Sequence, residues 1–95
     1  MNKYELAVVV SAKLEEEERA AVIEKVSGYI TRFNGTVTNV DDWGKKRLAY
    51  EIQKMKEAYY YFIQFEGDSE CPNEVEQHIR IMEPVVRYLC VKQEA

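Results

Sequence analysis

Tyr59-Tyr60-Tyr61-Phe62-Ile63-Gln64-Phe65 is the stretch on which the fold turns. Its aromatic and branched residues suit an extended backbone better than a helix. Because strand side chains alternate between faces, Tyr61, Ile63 and Phe65 belong to one set and Tyr60, Phe62 and Gln64 to the other. The polar Gln64 marks the second set as outward-facing, so this strand carries aromatics on both sides. Just upstream, Lys54-Met55-Lys56-Glu57 has polar turn character and predicts a hairpin. Its other arm combines Thr36-Val37-Thr38-Asn39-Val40 with Arg47-Leu48-Ala49-Tyr50-Glu51-Ile52. Between them Asp41-Asp42-Trp43-Gly44 holds a glycine suited to a bulge or tight bend, which predicts one long bent strand.

Working outward toward the N-terminus, Leu14, Ala20, Ile23, Val26, Ile30 and Phe33 share one helical face and predict a helix from Leu14 to Asn34. The run Glu15-Glu16-Glu17-Glu18 lies at its start, where negative side chains oppose the positive end of the helix dipole, so no metal is needed to explain it. Asn34-Gly35 tolerates the left-handed backbone that commonly ends a helix. Before it, Lys3-Tyr4-Glu5-Leu6-Ala7-Val8-Val9-Val10 alternates and then becomes continuously apolar, as a central strand does. Toward the C-terminus, Gly67-Asp68-Ser69-Glu70 breaks the strand. Pro72 suits a first helical turn, and Val75, Ile79 and Met82 predict a second helix ending near Pro84. Val86 to Lys92 forms the last strand. The order β-α-β-β-α-β predicts an α+β, ferredoxin-like fold: a four-stranded antiparallel sheet with two helices on one face. No linker or repeat interrupts residues 1–95, so one domain is expected.

With two helices on one face, the other sheet face is left open. Glu5 marks Ala7 and Val9 as outward on the first strand. Arg87, Leu89 and Val91 are outward on the last, with Tyr88 and Cys90 inward. Ala7, Val9, Tyr60, Phe62, Leu89 and Val91 therefore make a large exposed apolar surface, of the kind that marks a contact with protein or nucleic acid. A second copy of the chain would cover it as another protein would. Base stacking on the aromatics is less favoured, because the basic, glycine- and aromatic-rich signature of the common RNA-recognition module is missing before Tyr59.

Charge sharpens this reading. The net charge is -4, which argues against simple coating of a polyanion. Yet residues 43–56 carry +4 and residues 79–95 carry +1, so basic islands sit in an acidic chain. Lys45, Lys46 and Arg47 flank the bend, and Lys54 and Lys56 the hairpin turn. Lys3, Arg80, Arg87 and Lys92 surround the outer strands and second helix. Such a limited set can position a domain on folded RNA without making it a strong binder by itself.

Enzymatic readings find little support. His78 stands alone on the second helix without a nucleophile or metal set, and is expected at the surface. Cys71 and Cys90 read as free thiols, and none of the four glycines forms a phosphate cradle. The apolar run from Leu6 to Val10 is too short to cross a bilayer. No cofactor, metal, membrane or small-molecule substrate is expected. The competing reading is a ligand-binding regulatory or enzymatic domain of the same broad fold.

Tyr4-Glu5, the long run from Trp43-Gly44-Lys45-Lys46-Arg47-Leu48 through Ala49-Tyr50-Glu51-Ile52, and Arg87-Tyr88-Leu89 resemble the S-six family of bacterial small-subunit ribosomal proteins. The resemblance runs from Tyr4 to Lys92. It implies a cytoplasmic, non-enzymatic ribosomal protein that pairs with the basic ribosomal protein S-eighteen. The pair would bind the central domain of small-subunit ribosomal RNA in the platform. Carried over by position, the resemblance implies RNA contacts at Lys3, Arg80, Arg87 and Lys92. It implies partner contacts at Tyr60 and Phe62 with their open-face neighbours. The chain departs from the family pattern in having Met82-Glu83-Pro84 where Asn-Glu-Asp is common, and Asn2 where arginine is common. The long tail of many members is absent, so tail contacts are not expected.

Overall fold

The computed structural model describes residues 2–52 and 55–93, with side chains of 48–52 and 55 left aside. Strand β1 (Asn2–Ser11) is followed by helix α1 (Glu16–Arg32), strands β2 (Thr36–Ile52) and β3 (Met55–Gly67), helix α2 (Cys71–Ile79) and strand β4 (Val85–Gln93). The sheet order is β2-β3-β1-β4, and every pairing is antiparallel. The expected β-α-β-β-α-β arrangement is present, with β1 in the interior as its apolar run requires and β2 and β4 at the edges.

The long bent strand forms as expected, and its bend coincides with a break in register between Asp42 and Gly44. Gly44 has φ +73°, a left-handed conformation that other residues adopt only with strain. The hairpin is longer than its sequence suggested. Met55, Lys56 and Glu57 belong to β3, because Ile52 pairs with Met55. Lys54, the first residue of the expected turn, lies outside the described residues.

Helix α1 begins two residues later than its apolar pattern predicts. The Glu15 backbone N–H donates to Glu18 Oε1 at 3.3 Å, so the acidic run also satisfies an orphan donor at the helix start. Asn34, at φ 66°, turns the chain after α1. Gly35 N–H then donates to the Ile30 carbonyl at 2.8 Å. A Cβ at Gly35 would lie 2.6 Å from Ile30 Cγ2 and 2.9 Å from that carbonyl oxygen, so only glycine fits. Helix α2 ends at Ile79, short of Pro84. Met82 N–H bonds back to the Ile79 carbonyl at 2.9 Å and Val85 N–H to Met82 at 3.2 Å, so two turns replace the last helical stretch. Pro84 disfavours helical backbone at the preceding residue and has no N–H to continue the ladder.

The core fills the space between the helices and one sheet face. Leu6, Val8 and Val10 from β1, with Tyr61, Ile63 and Phe65 from β3, meet Ile23, Val26 and Ile30 of α1 and Cys71, Val75 and Ile79 of α2. Each fully buried Leu, Ile or Val side chain in that layer contributes about 1.5–3 kcal/mol. Tyr4 stacks on Phe65 with ring centroids 5.3 Å apart. At the other end of the sheet Arg19 lies 3.6 Å above the Tyr59 ring, and its Nε donates to the Tyr61 hydroxyl at 3.3 Å. A guanidinium there closes the end of the core by cation–π contact where a neutral apolar side chain would leave the Tyr61 hydroxyl unpaired.

Candidate interface on the open sheet face

Register places the outward side chains in rows that cross the sheet. One row runs Asp41, Phe62, Ala7, Leu89, and the next runs Gly44, Tyr60, Val9, Arg87. A third runs Asn39, Gln64, Glu5, Val91, and the last Thr36, Glu66, Lys3, Gln93. All six residues expected to form the apolar surface therefore share the helix-free face. Leu89 is 61% exposed and Val91 51%, whereas Ala7, Tyr60 and Phe62 are half-buried by their neighbours.

Val9 differs from the rest. It is only 6% exposed and stands outside the core cluster on the helix side. Tyr60 on one side and Arg87 on the other flank it in register. Val9 is a floor beneath the surface, with almost no area of its own to offer a partner.

Trp43 joins this face although alternation alone did not place it there. Its ring centroid lies 4.7 Å from that of Phe62, with the planes tilted by 54°, and it is 55% exposed. The bulge supplies the reason. Asp42 pairs with Tyr61 and Gly44 with Tyr60, so Trp43 is the extra residue between two paired ones. The usable signal was the Trp-Gly dipeptide inside an otherwise regular strand. Trp43, Phe62 and Leu89 thus form an aromatic-to-aliphatic band across the middle of the face. Beside it, Gln64 Nε2 donates to Glu5 Oε2 at 3.3 Å and gives the band a polar border.

The four basic residues carried over by position do not form one patch. Lys3 is exposed on the open face opposite Glu66 and Gln93. Lys92 is exposed at the same end, but its register partner Tyr4 assigns it to the opposite face. Arg87 is exposed on the open face, five residues back along β4 and so roughly 17 Å from Lys92. Arg80 caps α2 in the helical layer, its N–H bonded to the Glu76 carbonyl at 2.9 Å. Lys3 and Arg87 thus lie on the open face, and Lys92 and Arg80 on the helix side.

Other candidates resolve into structural roles. His78 does not stand free at the surface: its ring packs 4.9 Å from that of Tyr29 and 5.0 Å from that of Phe33, because α2 lies against α1. Its Nδ1–H donates to the Glu74 carbonyl at 3.0 Å. Burial pushes the Cys90 thiol up to about 12, with Glu76 and Cys71 adding to the effect, and burial followed by Asp68 raises Cys71. Raised thiols are poor nucleophiles. Among the described residues no group of His, Cys, Asp or Glu is placed to hold a metal ion, and no helix is long and apolar enough to cross a membrane.

Comparison with known proteins agrees with this frame. The family model described as ribosomal protein S6 matches residues 3–92. The small ribosomal subunit protein bS6 of Clostridium perfringens is 46% identical over 94 residues, covering 99% of each chain. That of Clostridium botulinum is 43% identical, covering 99% of this chain and 100% of its own. The crystal structure of 30S ribosomal protein S6 from Thermotoga maritima superposes with a TM-score of 0.92 at 28% identity, covering 97% of this chain and 87% of its own. Matched along nearly its whole length in sequence and in sheet architecture, the chain belongs to the ribosomal protein S6 family, structural proteins of the small ribosomal subunit rather than enzymes.

Proposed function

We propose that the chain pairs with the basic ribosomal protein S-eighteen through its open sheet face, and that the pair binds the central domain of small-subunit ribosomal RNA in the platform. The observation that carries this reading is the band of Trp43, Phe62 and Leu89 on a face that neither helix covers. Large aromatic and aliphatic side chains left accessible on a small domain favour a protein contact with an apolar centre and a polar rim. Tyr60, Ala7 and Val91 extend the band, and Val9 supports it from below.

A basic partner resolves the charge problem. A chain of net charge -4 gains little from approaching RNA alone, whereas the same chain attracts a basic protein and enters the RNA with it. Lys3, Arg80, Arg87 and Lys92 then act as a few separate phosphate contacts, fixing orientation rather than reading bases. The test is a gel-shift titration of a central-domain ribosomal RNA fragment with this chain, with S-eighteen, and with both. Binding by the pair that exceeds either protein alone by at least about tenfold is expected; equal binding by S-eighteen alone would refute the reading.

A further inference from the structure

We propose that the basic residues at the base of the β2–β3 hairpin, Lys45, Lys46, Arg47 and Lys56, are a second contact with the RNA phosphate backbone, separate from the contacts at β4; this rests on the partner-plus-RNA reading above. Pairing of β1 with β3 stops at Ser11 and Ala58, while β2 and β3 continue together through Arg47–Glu57 to Ile52–Met55. Beyond Ala58 the sheet is therefore a two-stranded ribbon that neither β1 nor β4 flanks.

Lys45, Lys46, Arg47 and Lys56 are all exposed around the base of this ribbon. Residues 43–56 carry +4 in a chain of net charge -4, so the remainder carries -8. Glu57 stands opposite Arg47 and offsets it, whereas Lys45 and Lys46 face the uncharged Tyr59 and Ala58, so cross-strand pairing does not balance their charge. Charge complementarity also selects the occupant. The basic partner assigned to the open face is repelled by this ribbon, whereas a polyanion is attracted to it. Lys46 lies on the open-face side of β2, one register step beyond the row that ends in Arg87 and across the sheet from it. Long flexible lysines suit phosphate as point charges without reading sequence.

The test replaces Lys45, Lys46 and Lys56 together by alanine and titrates the complex with S-eighteen against the central-domain RNA fragment over a salt series. All three side chains are exposed, so the fold is expected to survive, as circular dichroism will check. Each lost phosphate contact flattens the dependence of log K on log salt by roughly 0.7–0.9, so the slope should fall by about two and affinity near physiological salt by about tenfold or more. Affinity for S-eighteen without RNA should be unchanged, and Lys→Arg at the three positions should keep RNA binding. An unchanged slope and affinity would overturn the proposal, as would a loss fully explained by weaker binding of S-eighteen, which would assign the ribbon to the protein partner. If the unmodified pair fails to hold the RNA, the underlying reading falls and the ribbon with it; if the pair binds and the triple variant matches it, only the ribbon proposal falls.

Discussion

The two faces of the sheet use neighbouring residues of the same strands for opposite ends. Leu6 and Leu89 are the same side chain one strand apart, yet Leu6 is fully buried under the helices and Leu89 is 61% exposed. Tyr61 and Phe62 are consecutive aromatics, one in the core cluster and the other against Trp43. Alternation of the extended backbone makes the division, and the position of the helices decides which half stabilises the fold. Apolar content on a strand therefore does not by itself indicate core: Trp43, Phe62, Leu89 and Val91 lie on the face that the helices leave open.

The contrast can be broken most sharply at the buried face. Leu6→Ala is expected to cost about 2–5 kcal/mol by urea unfolding, through lost burial and the cavity left behind. Gly35→Ala should follow, at about 1–3 kcal/mol, because its Cβ would press on the Ile30 side chain and carbonyl oxygen. Leu89→Ala should change stability by only about 0.5 kcal/mol or less. A cost at Leu89 equal to that at Leu6 would mean that the face is covered within the monomer.

The smallest effect concerns chemistry on the covered side. Because burial raises the Cys90 thiol from 9.0 to about 12, the neutral thiol is favoured by the folded state. That contribution to stability is complete below the ordinary thiol value and is lost as pH rises from about 9 toward 12. Alkylation of Cys90 at pH 9 should accordingly be slower in the native chain than in the urea-denatured chain by at least about tenfold. Equal rates would place Cys90 in solvent and contradict its inward assignment on β4.

Much of this division is legible in the sequence. The order of elements, the long bent strand and the inward and outward sets of β1, β3 and β4 follow from period-two patterning, which is local. What was not legible depended on neighbours distant in sequence. Val9 is outward by alternation, yet it is buried, flanked in register by Tyr60 and Arg87 on two other strands. Trp43 reaches the open face because pairing with Tyr60 and Tyr61 leaves it as the extra residue, and pairing is not written in β2 alone. Helix α2 stops early because its last turns are exchanged for tighter ones before Pro84, while Met82 still packs on the core beyond the helix. His78 looked solitary in sequence, and only the approach of α1 supplies Tyr29 and Phe33.

The open face is tested most directly by measuring the affinity of Phe62→Asp and Leu89→Asp for purified S-eighteen by calorimetry, with circular dichroism on the same samples. A desolvated carboxylate in the middle of an apolar contact should weaken the complex by about a hundredfold or more while the isolated domain keeps its native spectrum. Wild-type affinity in both folded variants would show that the partner does not dock on this face.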